Sequence, residues 1–274
     1  MMLNRQNVIG MGIASAFLLL GSSQFVVADT AAGLQALANK DYGTAVREFK
    51  SGVDRNEAEA QFNLGIMYAR GLGVEKDIAE AWRLFQLAAA QGNAPAQFRL
   101  GVRAAQGWGV QQDFAEASRW YQRAADQGDT LAESNIGSLY EDGFGVQQDY
   151  KVAVHYYSLA AANGYAPAQF NLGQLVEKGK GTKRDLAEAF RWYKSAADIG
   201  FAPAQAKVSD MFARGEGVIR NPEQAFFWST LAAKQNEKNA ERRTAALAAA
   251  LTPDAVARAQ KSAGEWKPVL ATTR

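Results

Sequence analysis

Residues 165–200 read YAPAQFNLGQLVEKGKGTKRDLAEAFRWYKSAADIG, and their pattern decides the fold. A first helix is expected from Ala166-Pro167-Ala168, because a proline in a first turn lacks only an N–H that would have no intrahelical partner. Gly179 and Gly181 end it, since glycine readily takes the positive φ common at helix C-termini. Asp185 with Glu188 then reads as an acidic capping box that opens a second helix. The apolar face of that helix is Ala189, Phe190, Tyr193 and Ala196-Ala197. Together these make a helical hairpin.

The hairpin recurs. Gly-x-Gly stands at Gly71/Gly73, Gly107/Gly109, Gly143/Gly145, Gly179/Gly181 and Gly215/Gly217, each step 36 residues without insertion or deletion. Leu64-Gly65, Leu100-Gly101, Ile136-Gly137 and Leu172-Gly173 keep the same period, which fades to Val208-Ser209. In the first unit Ala60, Leu64, Met67 and Tyr68 fall at i, i+4, i+7 and i+8, the stripe of an amphipathic helix. Further capping boxes are read at Asp77/Glu80 and Asp113/Glu116, with Asn221/Gln224 a variant helped by Pro222. Neither helix of a pair buries its stripe alone, so stacking makes the core. The units are 57–92, 93–128, 129–164, 165–200 and 201–236, one continuous array without an internal domain boundary.

Composition agrees with this and excludes much else. Alanine supplies 53 of 274 residues, which suits closely packed helices. The absence of cysteine excludes disulfides, cysteine-ligated zinc, iron–sulfur clusters and thiol catalysis. A single histidine, His155, excludes multi-histidine metal sites. With 30 basic and 28 acidic residues the net charge is +2, so no overall pull toward nucleic acid or anionic lipid is expected. Residues 1–28 read as a cleavable secretory signal: Arg5, an apolar run from Val8 to Leu20, then Val26-Val27-Ala28 ahead of Asp29. That run of 13 residues is shorter than the roughly 20 needed to span a bilayer, so no stable membrane anchor is expected after cleavage.

The combination of Ala-x-Ala-x-x-x-Leu-Gly, Gly-x-Gly-Val, Asp-x-x-x-Ala and Trp-Tyr-x-x-Ala-Ala-x-x-Gly resembles the Sel-one-like repeat, a relative of the tetratricopeptide repeat with a longer loop inside its hairpin. Thr182, Ser209 and Asn236 depart from the pattern. The resemblance implies an all-α, right-handed superhelical α-solenoid. Residues 29–56, with Gly33-Leu34, Tyr42, Ala45 and Phe49, resemble a shorter tetratricopeptide-like hairpin that caps the N-terminal end. Residues 237–266 are expected to form C-terminal capping helices, the second opened by Thr252-Pro253, and residues 267–274 a tail.

No constellation for chemistry emerges. His155 occupies a slot that is arginine at Arg83, Arg119 and Arg191, which reads as an exposed face, and no nucleophile matches it by spacing. Glu141 and Asp142 are adjacent on a helix and point apart, unlike paired glycosidase carboxylates. Gly-x-Gly here follows a helix and lacks the Lys-Ser/Thr of a phosphate loop. No cofactor and no metal are expected.

Surface lines remain. Between the loop glycines stand Leu72, Trp108, Phe144, Lys180 and Glu216, either a ligand strip or side chains folded back as loop core. Under the tetratricopeptide resemblance, the first helices form a concave wall presenting Phe62, Ile66 and Arg70, Phe98 and Val102, Asp142, Phe170 and Lys178, and Arg214. Its ends are basic and its middle acidic, which suits a mixed-charge polypeptide better than nucleic acid. The phenylalanines serve equally as inter-repeat core. The resemblance implies a non-catalytic protein–protein interaction scaffold, here exported to the periplasm, with an envelope or secreted protein as partner. An effector acting on a host protein is the alternative. A β-lactam-binding enzyme is disfavoured, because members of that kind are cysteine-rich and this chain has none.

Overall fold

A computed structural model describes residues 28–269, which form fourteen helices and no strand among the described residues. The segment read as a signal lies outside them except for Ala28, and so do residues 270–274 of the expected tail. Helices α1 (Ala28–Ala38) and α2 (Tyr42–Asp54) make a first hairpin. Five longer hairpins follow: α3 (Ala58–Arg70) with α4 (Ile78–Ala90), α5 (Ala94–Gln106) with α6 (Phe114–Ala125), and α7 (Thr130–Asp142) with α8 (Tyr150–Ala162). Then come α9 (Ala166–Lys178) with α10 (Leu186–Asp198), and α11 (Ala202–Arg214) with α12 (Pro222–Lys234). Helices α13 (Ala240–Ala249) and α14 (Pro253–Glu265) follow. Helices α1 to α13 each pack chiefly on their chain neighbours, whereas α14 returns past α13 to pack on α12. The chain is an all-helical α-solenoid.

One device joins the two helices of a hairpin. A glycine on the first helix faces a buried ring on the second: Gly65 with Phe85, Gly101 with Tyr121, Gly137 with Tyr157 and Gly173 with Tyr193. A Cβ at Gly173 would lie 2.8 Å from the Tyr193 ring, so the glycine is the space the ring occupies. The shorter first hairpin repeats it with Gly33 and Phe49. In the fifth unit both partners change together. Ser209 replaces the glycine and donates to the Ala225 carbonyl at 2.7 Å, while the ring position is the buried Ser229. The departure at Ser209 is therefore compensated.

A second device joins successive hairpins. Gln97, Gln169 and Gln205 are buried, and each donates Nε2 to a carbonyl of the preceding hairpin, that of Ala89, Ala161 or Ala197, at 3.1–3.3 Å. Gln91, Gln127 and Gln235, just past the second helices, donate in turn to the side-chain oxygens of Gln61, Gln97 and Gln205. These bonds satisfy amides that the stacking would otherwise strand away from water, except the Oε1 of Gln169, which is buried without a partner because Ile199 stands where other units have Gln91, Gln127 and Gln235.

The helix starts hold one surprise. Asp77, Asp113 and Asp185 each accept from the N–H of the glutamate three residues on, which is half of a capping box. The reciprocal half is absent, because the N–H of each cap donates to a carbonyl of the first helix instead, those of Tyr68, Ala104 and Val176. The freed glutamates turn outward: Glu80 pairs with Arg83, and Glu116 and Glu188 accept from Trp120 and Trp192. The N-cap thus ties the loop closed as well as starting a helix.

At the C-terminal end, α13 lies on α12 through Ala240 and Ala232, and Arg243 pairs with Asp210 at 2.7 Å. Beyond α14, Trp266 meets the buried Trp228 edge-on with centroids 6.3 Å apart. The Val269 N–H donates to the Asp198 carbonyl at 2.8 Å. The start of the expected tail is thus docked on α10, an attachment made by a backbone donor that no sequence pattern marks.

Candidate interaction surface

The loops between paired helices are built alike and seat on the previous hairpin. Gly143 ends α7 at φ +73°, and Gly145 follows at φ +70°, hard against the backbone of Phe114 and Ala115 at the start of α6. Gly73 lies in the same way on Tyr42, Gly181 on Tyr150 and Gly217 on Leu186. The side chain between the glycines follows its loop. Phe144 stacks on Phe114 at 5.2 Å, and the Lys180 ammonium stands 4.5 Å from the centre of the Tyr150 ring and donates to its hydroxyl. Leu72 is partly buried in the same cluster as Tyr42. Leu72, Phe144 and Lys180 thus contact the hairpin before rather than the core of their own, and Phe144 keeps half of its surface exposed. An open cleft of about 700 Å³ beside this clasp is lined by Gln112, Phe114, Glu116 and Gly145, with Val110 at its edge.

The second unit breaks the rule. A Cβ at Gly109 would meet nothing, so this loop stands off the start of α4. Trp108 and Val110 are each 40% exposed and Ile78 46%, whereas Val74, Val146 and Val218, which hold the position of Val110, are partly buried against the core. The cause lies at the end of α5. Other units place Met67-Tyr68, Leu139-Tyr140, Leu175-Val176 and Met211-Phe212 under the loop; the second places Arg103-Ala104. Arg103 lies with its guanidinium 4.9 Å from the centre of the Trp82 ring and donates Nε to the Trp108 carbonyl at 3.2 Å.

The expected wall of first helices divides by residue type. Phe62, Phe98 and Phe170 are partly buried against Phe85, Tyr121 and Tyr193 at 5.7, 5.8 and 5.3 Å, so the rings complete the hairpins. Ile66 and Val102 are likewise packed at the edge of the core clusters. Arg70, Asp142, Lys178 and Arg214 are exposed at the helix ends, with Arg214 3.8 Å from Glu216. The wall is therefore apolar where it supports the fold and charged where it meets solvent.

Sequence reading passed over the position beside those phenylalanines, which is Asn63, Arg99, Asn135, Asn171 and Lys207. Arg99 spans the rings of Phe62 and Phe85 at 5.6 and 5.5 Å. Burial, and then the like charge of Arg70, hold its guanidinium below the usual value. Lys207 has a partner, Glu177, at 2.7 Å. Burial works to raise the Glu177 carboxyl, but hydrogen bonds from Lys207 and Tyr193 bring it below the usual range. The residue that would serve Arg99 as Glu177 serves Lys207 is Ala69. Alignment of the repeats one beneath another carries that signal. His155 is exposed, with its ring edge-on to Tyr156.

Matched against protein families, the chain carries five Sel1 repeats, at residues 58–93, 94–129, 130–165, 166–201 and 202–237. It belongs to the Sel1 repeat family, whose members generally serve as protein–protein interaction scaffolds. No curated protein sequence matches it. Among solved structures it is similar to a Sel1 repeat protein from Oxalobacter formigenes, with 29% identity and a TM-score of 0.75 over 89% of this chain and 98% of that one. It is also similar to a protective antigen of uropathogenic Escherichia coli with an SLR fold, at 25% identity and a TM-score of 0.60. That match covers 87% of this chain and 60% of the antigen.

Proposed function

We propose that this protein is an exported, non-catalytic scaffold of the bacterial cell envelope that binds a segment of a partner polypeptide along its first-helix wall and loop edge. The observation that carries the reading is the loop edge at the second unit, where the loop stands off the preceding hairpin and Trp108, Val110 and Ile78 are exposed, with the half-exposed Phe144 on the next loop. A stack of hairpins that each lean on the last holds such a surface in place before binding, so little ordering cost falls on the receptor. The signal-like residues 1–28 support export to the periplasm. Among the described residues no helix is long and apolar enough to cross a membrane.

Crosslinking in the native envelope tests the reading. A photo-crosslinker at Trp108 is expected to capture a discrete partner from the periplasmic fraction, and the Trp108→Ser variant to fold while losing that partner on co-purification. A folded Trp108→Ser protein that retains every partner would remove the loop edge from the interface. Recovery of the mature chain in the medium rather than the periplasm would favour the effector alternative.

A further inference from the structure

We infer that the junction of the first and second units, over Arg70, Arg99 and Arg103, receives an acidic segment of a partner polypeptide whose carboxylates alternate with apolar side chains. The inference rests on the scaffold reading above and names the chemistry of what that site takes.

Three observations converge. Arg99 and Arg103 lie one turn apart on α5 and rest on rings of the preceding hairpin, Arg99 on Phe62 and Phe85, Arg103 on Trp82. Arg70, at the exposed end of α3, lies close enough for its charge to oppose that of Arg99. Among the described residues none of the three is in an ion pair with a carboxylate, although the fold pairs such a charge where it carries one alone: Lys207 in the fifth unit is held by Glu177. For Arg99 the place of that acid, at the end of α3 in the first unit, is held by Ala69. Arg99 and Arg70 oppose one another with no carboxylate paired to either, Arg103 lies without one a turn further along α5, and an incoming carboxylate relieves the opposition.

The rings fix the arginine planes by cation–π contact, which spares much of the ordering cost of a charged hydrogen bond. Apolar specificity lies next to them. Arg103 joins Trp82 to the Trp108 backbone, and Ile78 is one turn before Trp82 on α4, so Ile78, Trp108 and Val110 border the charged floor. Planar guanidinium groups suit carboxylates, and the exposed indole and aliphatic side chains suit the residues between them.

The test uses the chain from Asp29 onward and three defined probes: a synthetic peptide alternating Glu with Leu, the same peptide with Lys for Glu, and a single-stranded oligothymidine of matched length. The Glu–Leu peptide is expected to bind with an affinity that falls as salt rises, and the Lys–Leu peptide to bind at least tenfold more weakly. The decisive variant is Ala69→Glu, which gives Arg99 the internal partner that Lys207 already has. It is expected to keep or raise the melting temperature and to weaken the Glu–Leu peptide at least tenfold, a combination that misfolding cannot produce. Arg99→Gln with Arg103→Gln should likewise weaken the Glu–Leu peptide at least tenfold, while Lys207→Gln leaves peptide affinity unchanged. Equal binding of the two peptides, full affinity in folded Ala69→Glu, or tighter binding of the oligothymidine would overturn the inference, the last pointing to a phosphate-bearing partner. If no probe binds while Trp108 still captures an envelope partner, the acidic-segment inference falls and the scaffold reading stands.

Discussion

Glu133 is the residue where the fold works against its own sequence. It occupies the place of Gln97, Gln169 and Gln205, whose amides each donate to a carbonyl of the preceding hairpin, and the matching carbonyl here belongs to Ala125. A carboxylate has no proton to give. Glu133 is 4% exposed, and its Oε2 is buried without a hydrogen-bond partner. Burial raises its carboxyl above the usual value; Asn163 offsets part of this, Asp129 at the start of α7 adds to it, and His155 on α8 acts the other way. A group whose folded pKa lies above its unfolded one stabilises the fold fully only below the unfolded value of about 4.5, and that contribution fades as pH rises through the folded value. Glu133→Gln should therefore raise stability at neutral pH by about 1–3 kcal/mol, the usual cost of a stranded buried polar group. The gain should shrink on acidification as Glu133 gains its own proton. Urea unfolding of both proteins at neutral pH and near pH 4.5 measures it. A variant no more stable than wild type at neutral pH would show that the carboxylate is already satisfied.

Between helices, stability comes from complementary pairs whose members lie in different parts of the chain. Gly145 and Gly109 isolate one such contact, since both have left-handed backbones, at φ +70° and +67°, and only Gly145 abuts the preceding helix. Gly109→Ala should cost about 1–2 kcal/mol from backbone strain alone. Gly145→Ala adds a collision with Phe114 and should cost about 1–3 kcal/mol more. Equal losses in thermal or urea unfolding would mean that the loop seat contributes nothing. The same pairings show what could be read beforehand. Helices, loop glycines and the repeat were legible because each depends on local spacing, and the period of 36 residues brings every unit to the same register. Pairings across units were harder to see, because a residue's role there depends on another tens of residues away. Phe144 looked like loop core or ligand strip, and its partner proved to be Phe114. Within a unit the same holds at longer spacing: the departure at Ser209 makes sense only beside Ser229, twenty residues on, in the slot that elsewhere holds the ring. Arg103-Ala104 stood in plain view, and its effect becomes visible only beside the four pairs that fill the loop elsewhere.

For the whole molecule, contact among chain neighbours means that stability is close to a sum of hairpins and junctions rather than a property of one core. A defect at one end should stay near that end. The C-terminal cap offers the cleanest case: Trp266 covers Trp228, Lys234 donates to the Ala263 carbonyl at 2.7 Å, Ser229 to the Ala240 carbonyl, and Arg243 pairs with Asp210. Ending the chain at Asn236 strips all four contacts from the fifth unit. It bares the apolar face of α12, including Trp228 and Leu231, which are 3% and 4% exposed in the intact protein. Hydrogen exchange should then speed up across α11 and α12, more weakly across α10, and hardly at all in α3 to α6. Tryptophan emission should shift to the red as Trp228 meets water, and the melting transition should broaden as the end frays ahead of the centre. The N-terminal units, with the loop edge and the arginine junction on them, should hold their structure. Uniform loss of protection from α1 to α12 would mean instead that the hairpins unfold as one cooperative body, and that binding at the second unit is coupled to the distant cap.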